Sequence, residues 1–256
     1  WFPRASAAGA GVWRRRARPT PARASAAGAG VWRRRARPTP ARMRRGPDPV
    51  PAGGPERGGV ARLLRDPLAW QVTAFMGLQS LGFYATLTWL PSIYTDHGYP
   101  PGSAGLLLSI CAAVSAPVSL VVPTLAVRAR DQRGLALASC LLAGAGLAGI
   151  LAAPLAAPYL WALLLGVGQG ALFALALTLV VLRSATSETA AHLSAMSQAA
   201  GYLIAAGGPV VVGLVRDLTG GWTAAVGLLV ALLVPQALVG VGAGRSRYVS
   251  SGAGLR

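Results

Sequence analysis

"GLALASCLLAGAGLAGILAAPLAAPYLWALLLGVGQGALFALALTLVVL" (Gly134–Leu182) contains no side chain that is charged at neutral pH. A membrane-spanning helix needs about 20 apolar residues at about 1.5 Å each, so this stretch is long enough to cross a lipid bilayer twice. A soluble core has no reason to exclude charge over such a length, whereas an Arg or Asp at the centre of a span costs about 2.5–3.5 kcal/mol. The stretch therefore predicts an integral membrane protein.

Four further segments exclude charge in the same way, and together they predict six membrane-spanning helices. The breaks between them carry Pro, Gly or charged residues, as in DHGYPPG (Asp96–Gly102) and RDLTGG (Arg216–Gly221), where a helix can end in water. Strands are excluded because an open sheet edge cannot lie in lipid. The predicted spans are Trp70–Ile93, Ser103–Ala126, Gly134–Ala153, Tyr159–Leu182, His192–Val215 and Trp222–Ala243.

The positive charge is concentrated near the amino terminus. Residues 1–66 hold 16 Arg against three acids, a net of +13, whereas the other residues hold 8 Arg against four acids, a net of +4. All 24 basic residues are Arg and none is Lys, which indicates high-GC coding more than selection for phosphate contacts. We therefore expect no specific nucleic-acid partner. A basic nucleic-acid-binding protein with an appended anchor is the disfavoured alternative.

The amino-terminal region contains an identical tandem repeat of 19 residues, RASAAGAGVWRRRARPTPA, at residues 4–22 and 23–41. Its Pro and Gly content prevents a packed core, so residues 1–66 are expected to form a disordered, Arg-rich low-complexity tail. A polybasic arm for anionic lipid or nucleic acid is the functional alternative. The domain prediction continues with a six-helix transmembrane domain over residues 67–248 and a cytoplasmic tail over residues 249–256.

The Arg residues between the spans also predict an orientation. If residues 1–66 are cytoplasmic, every Arg except Arg216 lies on the cytoplasmic side, a ratio of 23 to 1. The positive-inside rule then places both termini in the cytoplasm.

The six spans are interpreted as two copies of a three-span unit. QSLGFYATLT begins at Gln79 and QGALFALALT at Gln169, which aligns the two glutamines at an offset of 90. The spacing P-x6-R-D-x2-G occurs in the second and the fifth span, on opposite faces of the membrane, as is typical of inverted-topology repeats. The structural interpretation of this motif is a helix end where Arg pairs with Asp and Gly caps the turn; gating is the functional one. The motif residues are Pro123, Arg130, Asp131 and Gly134, then Pro209, Arg216, Asp217 and Gly220.

Polar side chains at mid-span depth are costly and therefore indicate candidate binding residues. Gln198 and Tyr202 share a helix face because they are four residues apart. The functional interpretation is a neutral, hydrogen-bonding lining for a small polar or anionic solute, and the alternative is interhelical hydrogen bonding of about 0.6 kcal/mol per bond. The candidates are Gln79, Tyr84, Trp89, Gln169, Gln198 and Tyr202.

The predicted spans carry few sequence signals of metal binding, cofactor binding or enzyme catalysis. No CxxC, HExxH or clustered His, Asp and Glu is present, so no metal and no cofactor is expected, and Cys111 and Cys140 are interpreted as small apolar residues. Neither a GxSx motif with a His nor paired catalytic carboxylates occur, so a six-span membrane enzyme is the disfavoured rival to a non-enzyme. Small residues such as Gly166 and Gly170 predict close helix packing. Gly207 to Pro209 are expected to interrupt the fifth span, either as a gating bend or as a tolerated kink.

Four strings carry a family resemblance: WQVTAFMGLQSLGFYATLTWLPSIY, ARDQRG, LLGVGQGALFALAL and QAAGYLIAAGGPVVVGLVRDLTGGW. They resemble the C-terminal half of a major facilitator superfamily transporter, and within that superfamily the cyanate permease and 2-nitroimidazole transporter family of bacteria. The resemblance implies half of a twelve-helix fold, alternating access, a small cyanate-like solute and the bacterial plasma (inner) membrane. It also implies a partner, either the missing N-terminal six-helix half or a second copy. The chain opens on Trp1, with Met43 as the first internal start, which we interpret as a fragment or a misplaced start. The strings are residues 70–94, 129–134, 164–177 and 198–222.

Overall fold

The computed structural model describes residues 61–249, and six long α-helices account for most of them. Each predicted span coincides with one helix to within a few residues at either end. Most of the predicted amino-terminal tail and almost all of the predicted carboxyl-terminal tail lie outside the described residues. The helices are α1 (Pro67–Asp96), α2 (Pro101–Arg128), α3 (Arg133–Ala152), α4 (Pro158–Leu182), α5 (Ser187–Thr219) and α6 (Trp222–Ala243).

Five of these helices, α2 to α6, are long and apolar enough to cross a membrane. The 30-residue α1 has the length, but its polar side chains are spread along the helix, whereas those of α5 lie mainly toward its two ends. Several of those polar residues, including Thr73, Gln79, Ser80 and Thr86, are buried against other helices. The helices confirm the predicted all-α class of multi-pass membrane protein.

The helix ends follow local sequence chemistry. Asp66 caps α1, its carboxylate accepting a hydrogen bond of 2.7 Å from the Leu68 amide, and Pro67 follows it. Gly220 caps α5 in the left-handed region, with φ of +73°. The expected cap at Gly134 is wrong, because this residue lies in the first turn of α3 and the extended Ala129 ends α2.

The helices pack around α1 and α4. The most extensive contacts join α1 to α5, α2 to α4, and α3 to α4, followed by α3 with α6 and α1 with α6. This pattern is symmetric if α1, α2 and α3 correspond to α4, α5 and α6, in that order. The α1–α5 pair then corresponds to the α2–α4 pair, and the α3–α4 pair to the α1–α6 pair. Fourteen of the 25 residues of α4 are buried, against five of the 28 residues of α2, so α4 lies deeper in the bundle than α2.

Glycines let α4 approach its neighbours closely. Gly170 packs against the backbone of Ser115 on α2, where a Cβ atom would lie 2.6 Å from the carbonyl oxygen. Gly168 packs in the same way against Ala143 on α3. Gly207 and Pro209 do not divide the fifth span, because α5 runs as one helix through both of them.

Replacing Gly170 with Ala is expected to lower the thermal unfolding midpoint in detergent, because the added methyl overlaps the Ser115 backbone and forcing atoms into a packed contact costs about 1–3 kcal/mol. The matched control is Gly207→Ala, since a Cβ at Gly207 meets no atom within 4 Å. We expect the control to keep or raise the midpoint, because Ala favours a helix by about 1 kcal/mol over Gly. Equal midpoints for both variants would contradict the close packing of α2 on α4.

Candidate functional site

A cavity of about 390 Å³ lies between α1, α2, α4 and α5. Two of its lining tyrosines, Tyr84 and Tyr202, are 40% and 47% exposed, so the cavity opens to the surface of the bundle. None of its lining residues is an Asp, Glu, Lys or Arg. The polar lining residues are Gln79, Ser80, Tyr84, Ser115, Ser119, Gln169 and Tyr202, and the aromatic ones include Phe83 and Phe173.

The two aligned glutamines lie in the wall of this cavity and are almost fully buried, with 4% exposure for Gln79 and 7% for Gln169. Gln79 Nε2 donates to Ser80 Oγ at 2.6 Å, and Gln169 Nε2 donates to Thr86 Oγ1 at 2.7 Å. Neither carbonyl oxygen receives a hydrogen bond from any residue in the part of the chain that the structure describes. Each carboxamide therefore has its donor engaged within the protein and its acceptor available.

The offset of 90 relates a second pair of lining residues, Phe83 and Phe173. Both rings are partly exposed, at 38% and 45%. The cavity thus has a glutamine and a phenylalanine from α1 and the corresponding pair from α4.

Two of the six candidate residues do not line this cavity. Trp89 lies nearer the end of α1, where its Nε1 donates to the Pro209 carbonyl at 2.8 Å and its ring packs 5.6 Å from that of Trp222. Gln198 Nε2 donates to Ser194 Oγ at 2.9 Å, within α5. The Trp89 bond joins α1 to α5, and the Gln198 bond stays within α5. Tyr84 and Tyr202, in contrast, line the cavity.

Three serines in the cavity wall were not among the candidates from sequence. Ser115 Oγ lies 2.8 Å from the carbonyl oxygens of Cys111 and Gly166, which share its one donated proton, so Ser115 also joins α2 to α4. Ser119 lies one turn further along α2 and Ser80 follows Gln79. The spacing of four residues between Ser115 and Ser119 places them on one face of α2, a signal that could have identified them.

One end of the bundle, here called the Asp96 end, carries an exposed polar cluster. Asp96 Oδ2 accepts hydrogen bonds from Arg216 Nη2 at 3.0 Å and from Trp222 Nε1 at 2.8 Å. Arg216 also pairs with Asp217 at 3.2 Å and lies over the Trp222 ring at 5.4 Å. This cluster joins α1, α5 and α6.

The opposite end, here called the Arg183 end, is held by a buried guanidinium. Arg183, 4% exposed, donates through Nε to the Ala243 carbonyl at 2.7 Å and through Nη2 to Gln132 Oε1. Gln132 Nε2 donates in turn to the Ala126 carbonyl at 2.9 Å. Burial lowers the pKa of Arg183 from its ordinary value, and Tyr248 and Asp131 oppose this shift. The Arg183 cluster, Arg183 with Gln132, joins the ends of α2, α4 and α6.

The predicted Arg130–Asp131 motif differs from its counterpart at the Asp96 end. Arg130 and Asp131 are exposed, and within residues 61–249 no ion pair joins them. Instead, the Asp131 carboxylate accepts from the Arg133 amide at 3.3 Å. Gln132, between the two, is the residue that turns inward, because the Arg183 guanidinium offers it a buried donor.

Replacing Arg183 with Met is expected to lower the thermal midpoint strongly, since each lost hydrogen bond to a charged group contributes about 1.5–3 kcal/mol. The matched control is Arg216→Met, whose ion pair is 42–44% exposed and screened by water, so a smaller decrease is expected. Thermal unfolding in nanodiscs measures both. A larger decrease for Arg216→Met than for Arg183→Met would contradict this order.

A helical membrane bundle with an uncharged central cavity agrees with what the chain is similar to. The family model of the Major Facilitator Superfamily matches residues 5–209. The chain belongs to this superfamily. It is 44% identical over 185 residues to an uncharacterized transporter, YycB, of Bacillus subtilis (strain 168), with 71% of this chain and 46% of the relative covered.

Two further relatives of this superfamily member come from Escherichia coli (strain K12). The 2-nitroimidazole transporter is 38% identical over 185 residues, covering 72% of this chain and 47% of the relative. The cyanate transport protein CynX is 31% identical over 161 residues, covering 63% of this chain and 42% of the relative. The chain therefore spans slightly under half the length of each of these relatives, which are named as transporters and not as enzymes.

Proposed function

We propose that this chain forms one half of a secondary transporter that moves a small polar or anionic, cyanate-like solute by alternating access. The observation that carries the proposal is the 390 Å³ cavity, which is uncharged, open and lined by hydrogen-bonding groups. Solute pockets are commonly of this size and combine apolar walls with a few polar groups. The names of two relatives, a 2-nitroimidazole transporter and a cyanate transport protein, support a small solute.

The lining offers both kinds of hydrogen-bonding group. The hydroxyls of Tyr84 and Tyr202 can donate to a polar or anionic solute, and the carbonyl oxygens of Gln79 and Gln169 can accept. A planar solute can also stack on an aromatic ring, as Phe83 would allow. Recognition in this half depends on hydrogen bonds and shape.

The six helices are proposed to form two inverted three-helix repeats. The symmetric pattern of helix contacts supports this, because α1–α5 corresponds to α2–α4 and α3–α4 to α1–α6. The Gln79–Gln169 and Phe83–Phe173 pairs at one cavity support it as well. In such a repeat α1 and α4 are equivalent and lie beside the pseudo-twofold axis. The solute would then contact matching residues from both repeats.

The open face of the cavity is proposed to be covered by an N-terminal six-helix half or by a second copy. Exposed apolar residues lie close to the lining residues along their helices: Leu87 and Leu177 are four residues from Phe83 and Phe173, and Leu203 follows Tyr202. The polar lining also needs cover, because an unsatisfied polar group in hydrocarbon costs several kcal/mol. The matched region covers slightly under half of each relative, so the remainder of such a chain could supply the other half. We therefore propose that this chain does not transport by itself.

The Arg183 end is proposed to face the cytoplasm of a bacterial inner membrane, which would place both ends of the described region in the cytoplasm. Every Arg in residues 61–249 except Arg216 belongs to the loops or segments at that end. Such an asymmetry follows the positive-inside rule.

Cysteine labelling tests this orientation. In intact cells, His97→Cys at the Asp96 end is expected to react with an impermeant maleimide, whereas Asp131→Cys at the Arg183 end is expected to react only after permeabilisation. Both native residues are exposed, and the native Cys111 and Cys140 are buried, which keeps the background low. If only Asp131→Cys were labelled in intact cells, the Arg183 end would face outward and the proposed orientation would be wrong.

Uptake tests the transport proposal. The chain is co-expressed with the part of the Escherichia coli 2-nitroimidazole transporter that it does not cover, and uptake of radiolabelled 2-nitroimidazole and cyanate is measured. Gln79→Ala and Gln169→Ala are each expected to lower uptake severalfold more than they lower expression, because they remove acceptors from the cavity. The matched control is Gln198→Ala, which does not line the cavity and should leave uptake near its original level.

Equal losses of uptake and expression in both cavity variants would assign the two glutamines to helix packing alone. Saturable uptake into liposomes by the chain alone would instead favour a transporter made of two copies. No uptake of either solute by the co-expressed pair, with both parts present in the membrane, would count against the cyanate-like class.

A further inference from the structure

The 390 Å³ cavity is here called the solute cavity. A smaller cavity of about 20 Å³ adjoins it and shares Gln79 and Gln169 with it as lining residues. Gln236 of α6 is its third polar lining residue, and the rest of the lining is apolar or glycine. Three carboxamides, one each from α1, α4 and α6, therefore surround one small space.

Gln236 is 3% exposed, and within residues 61–249 its side-chain nitrogen has no hydrogen-bond partner. Such a donor is costly in the apolar interior of a helical bundle, where lipid surrounds the protein in place of water. The Gln236 nitrogen therefore needs a hydrogen-bond acceptor, and the small cavity is the space that Gln236 lines.

The same cavity is lined by two residues with acceptors to offer. The amide nitrogens of Gln79 and Gln169 are engaged with Ser80 and Thr86, while their carbonyl oxygens receive no hydrogen bond from the described part of the chain. A buried water needs roughly 10–15 Å³ of such space and two to four polar partners. The cavity meets both requirements, with one donor and two acceptors.

We propose that one ordered water molecule binds here, accepting a hydrogen bond from Gln236 and donating one each to Gln79 and Gln169. Gln236 is thereby a positioning residue, since the water fixes the carboxamides that form the wall of the solute cavity. The proposed water site depends only on the small cavity and its lining residues. The positioning role also rests on the proposed transport function. A hydroxyl holds the nitrogen of each glutamine, and the water uses one of the two lone pairs on its oxygen. The second lone pair is left for the solute, in a position that is set before the solute binds.

Hydroxyl-radical labelling with X-rays tests the water, because radicals formed from a bound water oxidise the side chains beside it. The measurement uses the 256-residue chain in nanodiscs, with oxidation read by mass spectrometry. Leu172 lines the small cavity and is 3% exposed, and Leu193, at 0%, is the buried reference outside it. We expect Leu172 to be oxidised severalfold faster than Leu193.

Gln236→Leu is expected to lower the oxidation of Leu172 to the level of Leu193, and the matched control Gln198→Leu should leave it unchanged. Oxidation of Leu172 no faster than Leu193 in the unaltered chain would overturn the water site, and this comparison requires no variant to fold. An unchanged rate in folded Gln236→Leu, or in Gln236→Met if the first variant does not fold, would also overturn it.

The positioning role is tested in the co-expressed pair used for uptake. Gln236→Leu should raise the KM for 2-nitroimidazole severalfold while kcat and the thermal midpoint stay near their original values, because solute binding is altered and folding is not. A purely structural role would lower the midpoint and the amount of protein without moving KM, and that result would overturn the positioning role. No uptake by the unaltered pair would overturn the proposed function and the positioning role with it, while the oxidation of Leu172 would still decide the water.

Discussion

A polar group inside a bilayer has no water to bind, so it needs a partner within the protein, and this constraint decides how the six helices are arranged. The polar helix α1 is placed where other helices meet its side chains, as in the 3.3 Å contact between Thr73 Oγ1 and Ser197 Oγ and the bond from Gln169 to Thr86. The neighbouring α4 is buried for a different reason: its glycines allow the backbones of α2 and α3 to pack closely against it. Helices α3 and α6 can then be almost entirely apolar.

The two ends of the bundle are joined by interactions of different strength. At the Arg183 end a buried guanidinium and Gln132 bind backbone carbonyls, which lie where water cannot compete for them. At the Asp96 end the Asp96–Arg216 pair is exposed, so water and salt screen it. In the proposed alternating-access cycle both ends would have to open in turn. The exposed ion pair would separate at a lower cost than the buried cluster.

Charge placement predicted the helices well, because excluding Arg and Asp from lipid is an energetic rule that leaves a direct record in the sequence. The rotation of each helix about its axis leaves a weaker record. The offset of 90 aligned Gln79 with Gln169, and both residues line one cavity. Trp89 and Gln198 were also candidates, but their hydrogen bonds lie outside that cavity. Arg183 was read only as a loop residue, since its burial depends on carbonyls at the end of α6, far away in the chain. Gln236 was missed for a related reason: one carboxamide in a strongly apolar helix gives no periodic signal.

The uncharged lining of the solute cavity limits what this half can contribute to transport. Hydrogen bonds and shape can select a small polar solute, but they discriminate weakly between a neutral molecule and an anion of the same shape. A fixed counter-charge or a proton-carrying group would have to lie on the surface that covers the open face, since no Asp, Glu, Lys or Arg is among the lining residues here. In the proposed assembly this chain would therefore set the size and the hydrogen-bonding pattern of the site. The partner would set its charge preference and any coupling to protons.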